Sequence, residues 1–295
     1  MNTLKINNLT KTYPNGVKAL NGINLEITNG MFGLLGANGA GKSSLMRTIA
    51  SLQEPTSGSI EFNSVDIVKQ PNEVRKSLGY LPQEFGVYPK ISAEKLLYHL
   101  AILKGVLNKK DRKEQVYALL QQVNLYQHRK KSVYTFSGGM RQRFGIAQAL
   151  LGNPQIIIVD EPTAGLDPEE SNRFLNLLSE IGENVIVILS THIVEDVRNL
   201  CTKMAILSSG EIISHGNPKD LVASINGKVW TKIIPKSEIE IFKKAFDVIS
   251  TKLVAGETQI RVLSNNKPEV GFEKIIPNLE DFYFATLFYQ TNNKA

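Results

Sequence analysis

Gly36-Ala37-Asn38-Gly39-Ala40-Gly41-Lys42-Ser43 is the stretch of this sequence richest in possible chemistry. An apolar run, Met31–Leu35, precedes it, and a helical pattern starts near Lys42. Glycines at these positions let the backbone turn its N–H groups inward, so that they replace water around the oxygens of a polyphosphate. The helix that follows points its positive end at the same oxygens. Lys42 is spaced to reach the β- and γ-phosphates and Ser43 to ligate Mg²⁺, with Ser44 beside it in the nucleotide-binding set. The expected ligands are therefore a nucleoside polyphosphate and Mg²⁺. This segment predicts a nucleotide-hydrolysing core without saying what the energy drives.

A second constellation is Ile156-Ile157-Ile158-Val159-Asp160-Glu161, a buried strand that ends in two carboxylates. Side chains alternate along a strand, so the two acids must point differently. Asp160 suits the Mg²⁺ shell beside Ser43. Glu161, one residue on, suits the general base that orients and polarises the attacking water. His192 follows the apolar run Val185–Leu189 and Ser190-Thr191. It too sits at the carboxyl end of a strand, where α/β sheets place their chemistry, within reach of a γ-phosphate.

Ser137-Gly138-Gly139-Met140 opens an amphipathic helix 23 residues before Asp160. Its bare backbone amides make a second phosphate-binding surface. With these segments in this order, the chain resembles the ATP-binding subunits of ABC transporters over residues 3–225. The resemblance matches Gly36–Ser43 to the Walker A loop, Ile156–Glu161 to the Walker B strand with its catalytic glutamate, and Ser137-Gly138-Gly139 to the signature motif. It matches Gln83 to the Q-loop, a catalytic and Mg²⁺-contacting position, and Ala164-Gly165-Leu166-Asp167 to the D-loop, which places Asp167 at a dimer interface. His192 matches the switch histidine, and Tyr13 the aromatic that stacks on adenine.

The resemblance implies a head-to-tail homodimer in which Ser137, Gly138, Gly139 and Met140 of one subunit close over the ATP held by the other. It also implies integral membrane permease subunits as partners. The apolar, glycine- and proline-punctuated loop Phe85–Pro89 suits either docking of such a partner or packing on its own domain. Phe136 and Met140 stand where the common signature has Leu and Gln. That version, and the late segment Pro277–Phe282, is similar to subfamilies serving exporters of the ABC-2 membrane type. The expected location is cytoplasmic, peripheral on the inner face of the cell membrane through the permease.

These residues need a scaffold, and the patterning supplies one. The expected fold class is α/β: a P-loop NTPase with a mainly parallel sheet, an N-terminal antiparallel β portion, a helical insertion and a small α+β C-terminal appendage. Leu4–Leu9 and Ile23–Ile27 alternate like half-exposed strands, whereas Ile156–Val159 and Val185–Leu189 are β-branched runs fit for strands covered on both faces. Apolar residues at helical spacing mark Ala93–Lys104, Lys113–Val123 and Gly139–Leu151. After Gly216 the pattern gives strands at Val229–Ile234, Ile249–Val254 and Gln259–Leu263, with helices at Ser237–Ala245 and Asn278–Tyr289. The expected division is an ATPase domain at 1–217, with a helical subdomain at about 86–151, and an accessory domain at 218–295.

Composition narrows the alternatives. The net charge of +6 is spread along the chain, so no nucleic-acid partner is expected. The basic stretches Lys109–Lys113 and Arg129–Lys131 read as solvated helix ends. A lone cysteine, Cys201, reads as buried filler in a reducing compartment. The N-terminus lacks a secretory apolar core, and no apolar run approaches the ~20 residues that cross a bilayer. The rival reading is a soluble ABC ATPase acting on ribosomes or DNA. A third is a ligand-sensing appendage lined by Trp230, Phe282, Tyr283, Phe284, Phe288 and Tyr289, although aromatics at helical spacing are more often core.

Overall fold

A computed structural model of the chain describes residues 1–83, 86, 90–163 and 166–293. Its central sheet runs in the order Glu211–Gly216, Lys203–Ser208, Gly30–Leu35, Ile186–Thr191, Ile156–Asp160, Leu78–Leu81. All its pairings are parallel except the Lys203–Gly216 hairpin. Ile156, Ile158, Ile186 and Ile188 face one hydrophobic core, and Ile157, Val159, Val187 and Leu189 face another. The period of two combined with burial on both faces explains why these strands read as unbroken apolar runs.

One face is covered by an antiparallel sheet in the order Lys18–Thr28, Thr3–Thr12, Ser57–Phe62, Val65–Asp66. Leu4, Ile6, Ile23, Ile27 and Ile60 of this sheet meet Leu45, Met46 and Ile49 of helix Lys42–Ile49. The phosphate-loop helix is thus held between two sheets. The other face packs on helices Ala93–Leu103, Lys109–Gln122 and Gly138–Ala149, through Leu96, Leu97, Val116, Leu120 and Phe144. The middle helix starts four residues earlier than its periodicity predicts. Asn108 caps it, accepting from the amides of Lys110 (2.8 Å) and Asp111 (3.4 Å), so polar residues fill its first turn. Of the basic stretches, Lys109–Asp111 and Lys113 are exposed, but Arg129 is half-buried, 4.1 Å from the Tyr126 ring centroid.

Residues beyond Gly216 form an antiparallel sheet in the order Val248–Val254, Glu257–Leu263, Val229–Ile234, Glu273–Lys274. The expected helix at Ser237–Ala245 divides into a 3₁₀ turn, Lys236–Glu238, and a helix, Ile239–Ala245. Helix Leu279–Asn293 is started by a reciprocal cap: Asn278 Oδ1 accepts from the Asp281 amide (3.0 Å) and Asp281 Oδ2 from the Asn278 amide (2.9 Å). Asp281 is buried and paired with Arg261 at 2.5 Å. Phe282 and Tyr283 are buried, and Phe284 and Phe288 pack beside them in the core that also holds the helical region. Trp230 is half-buried and donates its indole N–H to Ser264 (3.0 Å). Among the aromatics proposed for a pocket, only Tyr289 is largely exposed. Among the described residues, no helix is long and apolar enough to cross a membrane.

Cys201 ends the helix Val194–Leu200 and is buried, which pushes its thiol up to about 12. A thiol held that high is protonated at pH 8, and the thiolate is the reactive form. A disulfide reagent such as DTNB is therefore expected to titrate Cys201 only after denaturant is added. Stoichiometric labelling of the native chain within minutes would show that this helix opens freely.

Candidate functional site

The loop after strand Gly30–Leu35 is shaped by contacts only glycine permits. Gly41 has φ 111°, and a Cβ there would lie 2.4 Å from the Ala19 carbonyl oxygen. A Cβ on Gly36 would lie 2.5 Å from the Leu207 carbonyl oxygen. Ala40 is buried against the same wall, while Ala37, Asn38 and Gly39 are exposed at the loop's outer edge. Helix Lys42–Ile49 begins without a side-chain cap and with no acid in its first turn, so its opening amides stay available to an anion. Lys42 is buried and donates from Nζ to the carbonyls of Gly36 (2.7 Å) and Ala37 (3.2 Å). Burial pushes its ammonium down, against the pull of Glu161 and Asp160.

The two acids diverge as strand alternation requires, and each meets its own partners. Strand Ile156–Asp160 ends at Asp160, and Glu161 adopts φ 47°, in the left-handed region, with its amide donating to Ser190 O (2.8 Å). Asp160 Oδ2 accepts from Ser43 Oγ at 3.2 Å. Glu161 collects side chains from three elements: Lys42 Nζ at 3.7 Å, His192 Nδ1 at 3.3 Å and Gln83 Nε2 at 3.1 Å. Gln83 and His192, far apart in sequence, are thereby joined at one carboxylate.

A cavity of about 530 Å³ is lined by Tyr13, Asn38, Gly39, Gly41, Lys42, Ser43, Ser44, Gln83 and Glu161, closed by Val17–Ala19 and Ser209–Gly210. Its loop glycines, lysine and serines are the groups that bind a triphosphate. Tyr13 is fixed by its hydroxyl, 3.0 Å from Ser44 Oγ and donating to Gln53 Oε1 at 3.1 Å. The donor set also fits Mg²⁺. Asp160 Oδ1 is buried and, among the described residues, has no hydrogen-bond partner, and Ser43 Oγ stands beside the same carboxylate. A hard cation would satisfy that oxygen. Among the described residues no cluster of three His, Cys, Asp or Glu could hold a metal alone.

The signature segment lies elsewhere. Ser137 caps helix Gly138–Ala149, its Oγ accepting from the Met140 amide at 3.2 Å, so that amide is already engaged. Ser137 and Gly138 are exposed and Gly139 half-exposed, whereas the Met140 side chain packs on the hydrophobic core. None of the four lines the cavity. Asp167 is exposed and caps helix Pro168–Gly182, accepting from the Glu170 amide at 2.8 Å, a local duty the sequence reading did not foresee. Ala164, Gly165 and most of the loop Phe85–Pro89 lie outside the described residues.

Several participants escaped the sequence reading. Gln53 and the Ser209–Gly210 turn carry no motif, and only tertiary contact brings them to Tyr13 and the loop. Lys11 Nζ lies 5.5 Å from the Tyr13 ring centroid.

The model of the family described as ABC transporter matches residues 20–164. The chain is 39% identical over 211 residues to the ABC transporter ATP-binding protein NatA of Bacillus subtilis, covering 70% of this chain and 85% of that relative. It is 35% identical over 227 residues to the linearmycin resistance ATP-binding protein LnrL of the same organism, covering 76% and 72%. The methionine import protein MetN of Helicobacter pylori is 31% identical over 294 residues, covering 97% and 90%. Among solved structures, an ATP-binding subunit of an ABC transporter superposes with a TM-score of 0.67 at 28% identity, over 75% of this chain and 92% of its own. A dimeric ATP-binding cassette in a post-hydrolysis state, bound to ADP and phosphate, superposes with a TM-score of 0.66 at 27% identity, over 72% and 98%.

Proposed function

The chain belongs to the ABC transporter ATP-binding family, and from that membership we propose that it powers export through separate integral membrane permease subunits, working as a homodimer. It is an ATP-binding subunit and an ATPase. The observation carrying the finer reading is a division of parts. The phosphate loop and Glu161 share one cavity, while Ser137 and Gly138 stand exposed outside it. A chain that keeps an intact phosphate cradle and, outside that cavity, an exposed signature helix end can join them through a second copy. With two-fold symmetry both composite sites form together.

In this reading ATP lies on the loop amides of Gly36–Ser43, with Lys42 on the β- and γ-phosphates and Tyr13 against adenine. Glu161 orients the attacking water and takes its proton. His192 and Gln83 hold the Glu161 carboxylate from two sides, and Asp167 lies where the two subunits meet. Ser43, Asp160 and Gln83 would hold Mg²⁺, which when bound neutralises charge on the transferring phosphoryl group. Residues 1–217 form the ATPase domain and 218–295 an accessory domain. The protein sits on the cytoplasmic membrane face through its permease.

Export rests on the Phe136/Met140 form of the signature and on relatives such as LnrL, whose name records linearmycin resistance. MetN relatives, named for methionine import, set the opposing outcome. Purifying the tagged protein from detergent-solubilised membranes should recover a multi-span permease in stoichiometric amount. Ribosomal or DNA-repair partners without a membrane protein would reassign the work that ATP drives. In proteoliposomes with that permease, cargo should move away from the ATP side; movement toward it would reverse the direction.

Lys42→Ala tests the cradle alone. Losing a charge-assisted contact worth ~1.5–3 kcal/mol corresponds to about 10- to 100-fold weaker ATP binding. Titration calorimetry should show this on a variant that circular dichroism shows to be folded. Unaltered affinity would mean that Lys42 does not meet the phosphates.

A further inference from the structure

Asp196 lies on helix Val194–Leu200, four residues after His192, and is buried with 7% exposure. Its Oδ2 accepts from Thr163 Oγ1 at 2.9 Å, a hydrogen bond that is itself buried. The Thr191 hydroxyl faces the same carboxylate and favours its charged form. Because Thr191 Oγ1 already accepts from the Ile193 amide (2.9 Å), its proton is free to point at Asp196. One carboxylate therefore accepts from the hydroxyl two residues after Glu161 and is faced by the hydroxyl of the residue before His192. Among the described residues no lysine or arginine pairs with Asp196.

A buried carboxylate satisfied only by neutral hydroxyls is a costly way to fill a core position. Burial pushes the Asp196 carboxyl up, and the two hydroxyls hold it back. What this arrangement provides is a clasp between two strand ends. The same ends meet through the Glu161 amide on Ser190 O (2.8 Å) and through His192 Nδ1 on Glu161 Oε1 (3.3 Å). Backbone bond, side-chain contact and clasp together close a ring around the turn in which Glu161 adopts φ 47°. The clasp adds to the parallel pairing of strands Ile156–Asp160 and Ile186–Thr191, the backbone bond and the exposed histidine contact, and it ties the chain together beyond the strand ends.

We propose that Asp196 is a positioning residue for ATP hydrolysis, setting the spacing of Glu161 and His192 through Thr163 and Thr191. The proposal rests on the assignment of those two groups to the hydrolytic step. Asp196 does not touch the nucleotide cavity, so its removal should act on turnover and spare binding.

The test is steady-state ATP hydrolysis by the full chain, with ATP affinity measured separately. Misplacement of catalytic groups by an ångström costs up to about 10²-fold. Asp196→Ala is therefore expected to lower kcat by about 10- to 100-fold while KM and the ATP Kd stay within about twofold. Asp196→Asn, whose amide oxygen retains one hydroxyl, should fall between. Thr163→Val should lower kcat, Thr163→Ser should restore it, and the Asp196→Ala/Thr163→Val double variant should be no worse than Asp196→Ala alone. If Asp196→Ala does not fold, the Thr163 pair decides by itself. Independent, multiplying losses, or a Thr163→Ser variant as poor as Thr163→Val, would overturn the proposal. So would an Asp196→Ala kcat equal to that of the parent. Glu161→Gln and His192→Ala are run in parallel. If they turn over normally, the catalytic assignment falls and this proposal with it; if only the Asp196 and Thr163 variants do, the proposal falls alone.

Discussion

Glu161→Gln is expected to reduce ATP turnover by about 10²–10⁴-fold while leaving nucleotide binding intact. The substitution is nearly isosteric, so the contacts that converge on this position, from Lys42, Gln83 and His192, lose little geometry. What disappears is the group able to take a proton from water. A negative charge beside the γ-phosphate also goes, which favours the ATP-bound state. Two measurements separate these effects. Phosphate release should fall to near background, and light scattering at saturating ATP should show a dimer that persists instead of one that turns over. A variant that stays monomeric with ATP would count against closure by two copies. A variant with ordinary turnover would move the general base to another residue.

How far such expectations could be drawn from sequence depended on whether the chemistry was local. The loop Gly36–Ser43 was legible because its strand, glycines, lysine and helix lie in one short run, and the structure keeps them together. The runs Ile156–Val159 and Val185–Leu189 announced strands covered on both faces, since only double burial makes an unbroken apolar run stable. Their neighbours were not legible. The order that puts Gly30–Leu35 between Ile186–Thr191 and Lys203–Ser208 is set by packing across more than 150 residues of chain, which no local pattern encodes. Strand Ser57–Phe62 and the Lys203–Gly216 hairpin went unread, and so did helix Pro168–Gly182, although Phe174, Leu175 and Leu178 repeat at helical spacing on its buried face. Alternation along a strand foretold that Asp160 and Glu161 would diverge. It did not foretell the φ of 47° at Glu161, which depends on the hydrogen bond to Ser190. Asp196 resembled any acid in the first turn of a helix, and only its burial against Thr163 sets it apart.

Ser137→Arg carries the sharpest consequence of the two-copy arrangement. Loss of the cap on helix Gly138–Ala149 costs about 1 kcal/mol, too little to unfold the chain. The larger effect is steric and electrostatic at an exposed helix end that lies outside the chain's own nucleotide cavity. ATP should bind the isolated variant normally, yet turnover should drop by about 10²-fold or more, comparable to losing a preorganised donor for transition-state charge. Mixing gives a stricter test. Ser137→Arg chains keep Lys42, and Lys42→Ala chains keep Ser137. If each site takes its loop from one chain and its signature from the other, a mixed dimer contains one intact site and one doubly damaged site. Two inactive preparations should then regain activity on mixing, approaching about a quarter of the parent rate if subunits pair at random and sites act independently. If Ser137 instead served the cavity of its own chain, every site in the mixture would carry one lesion and no activity would return.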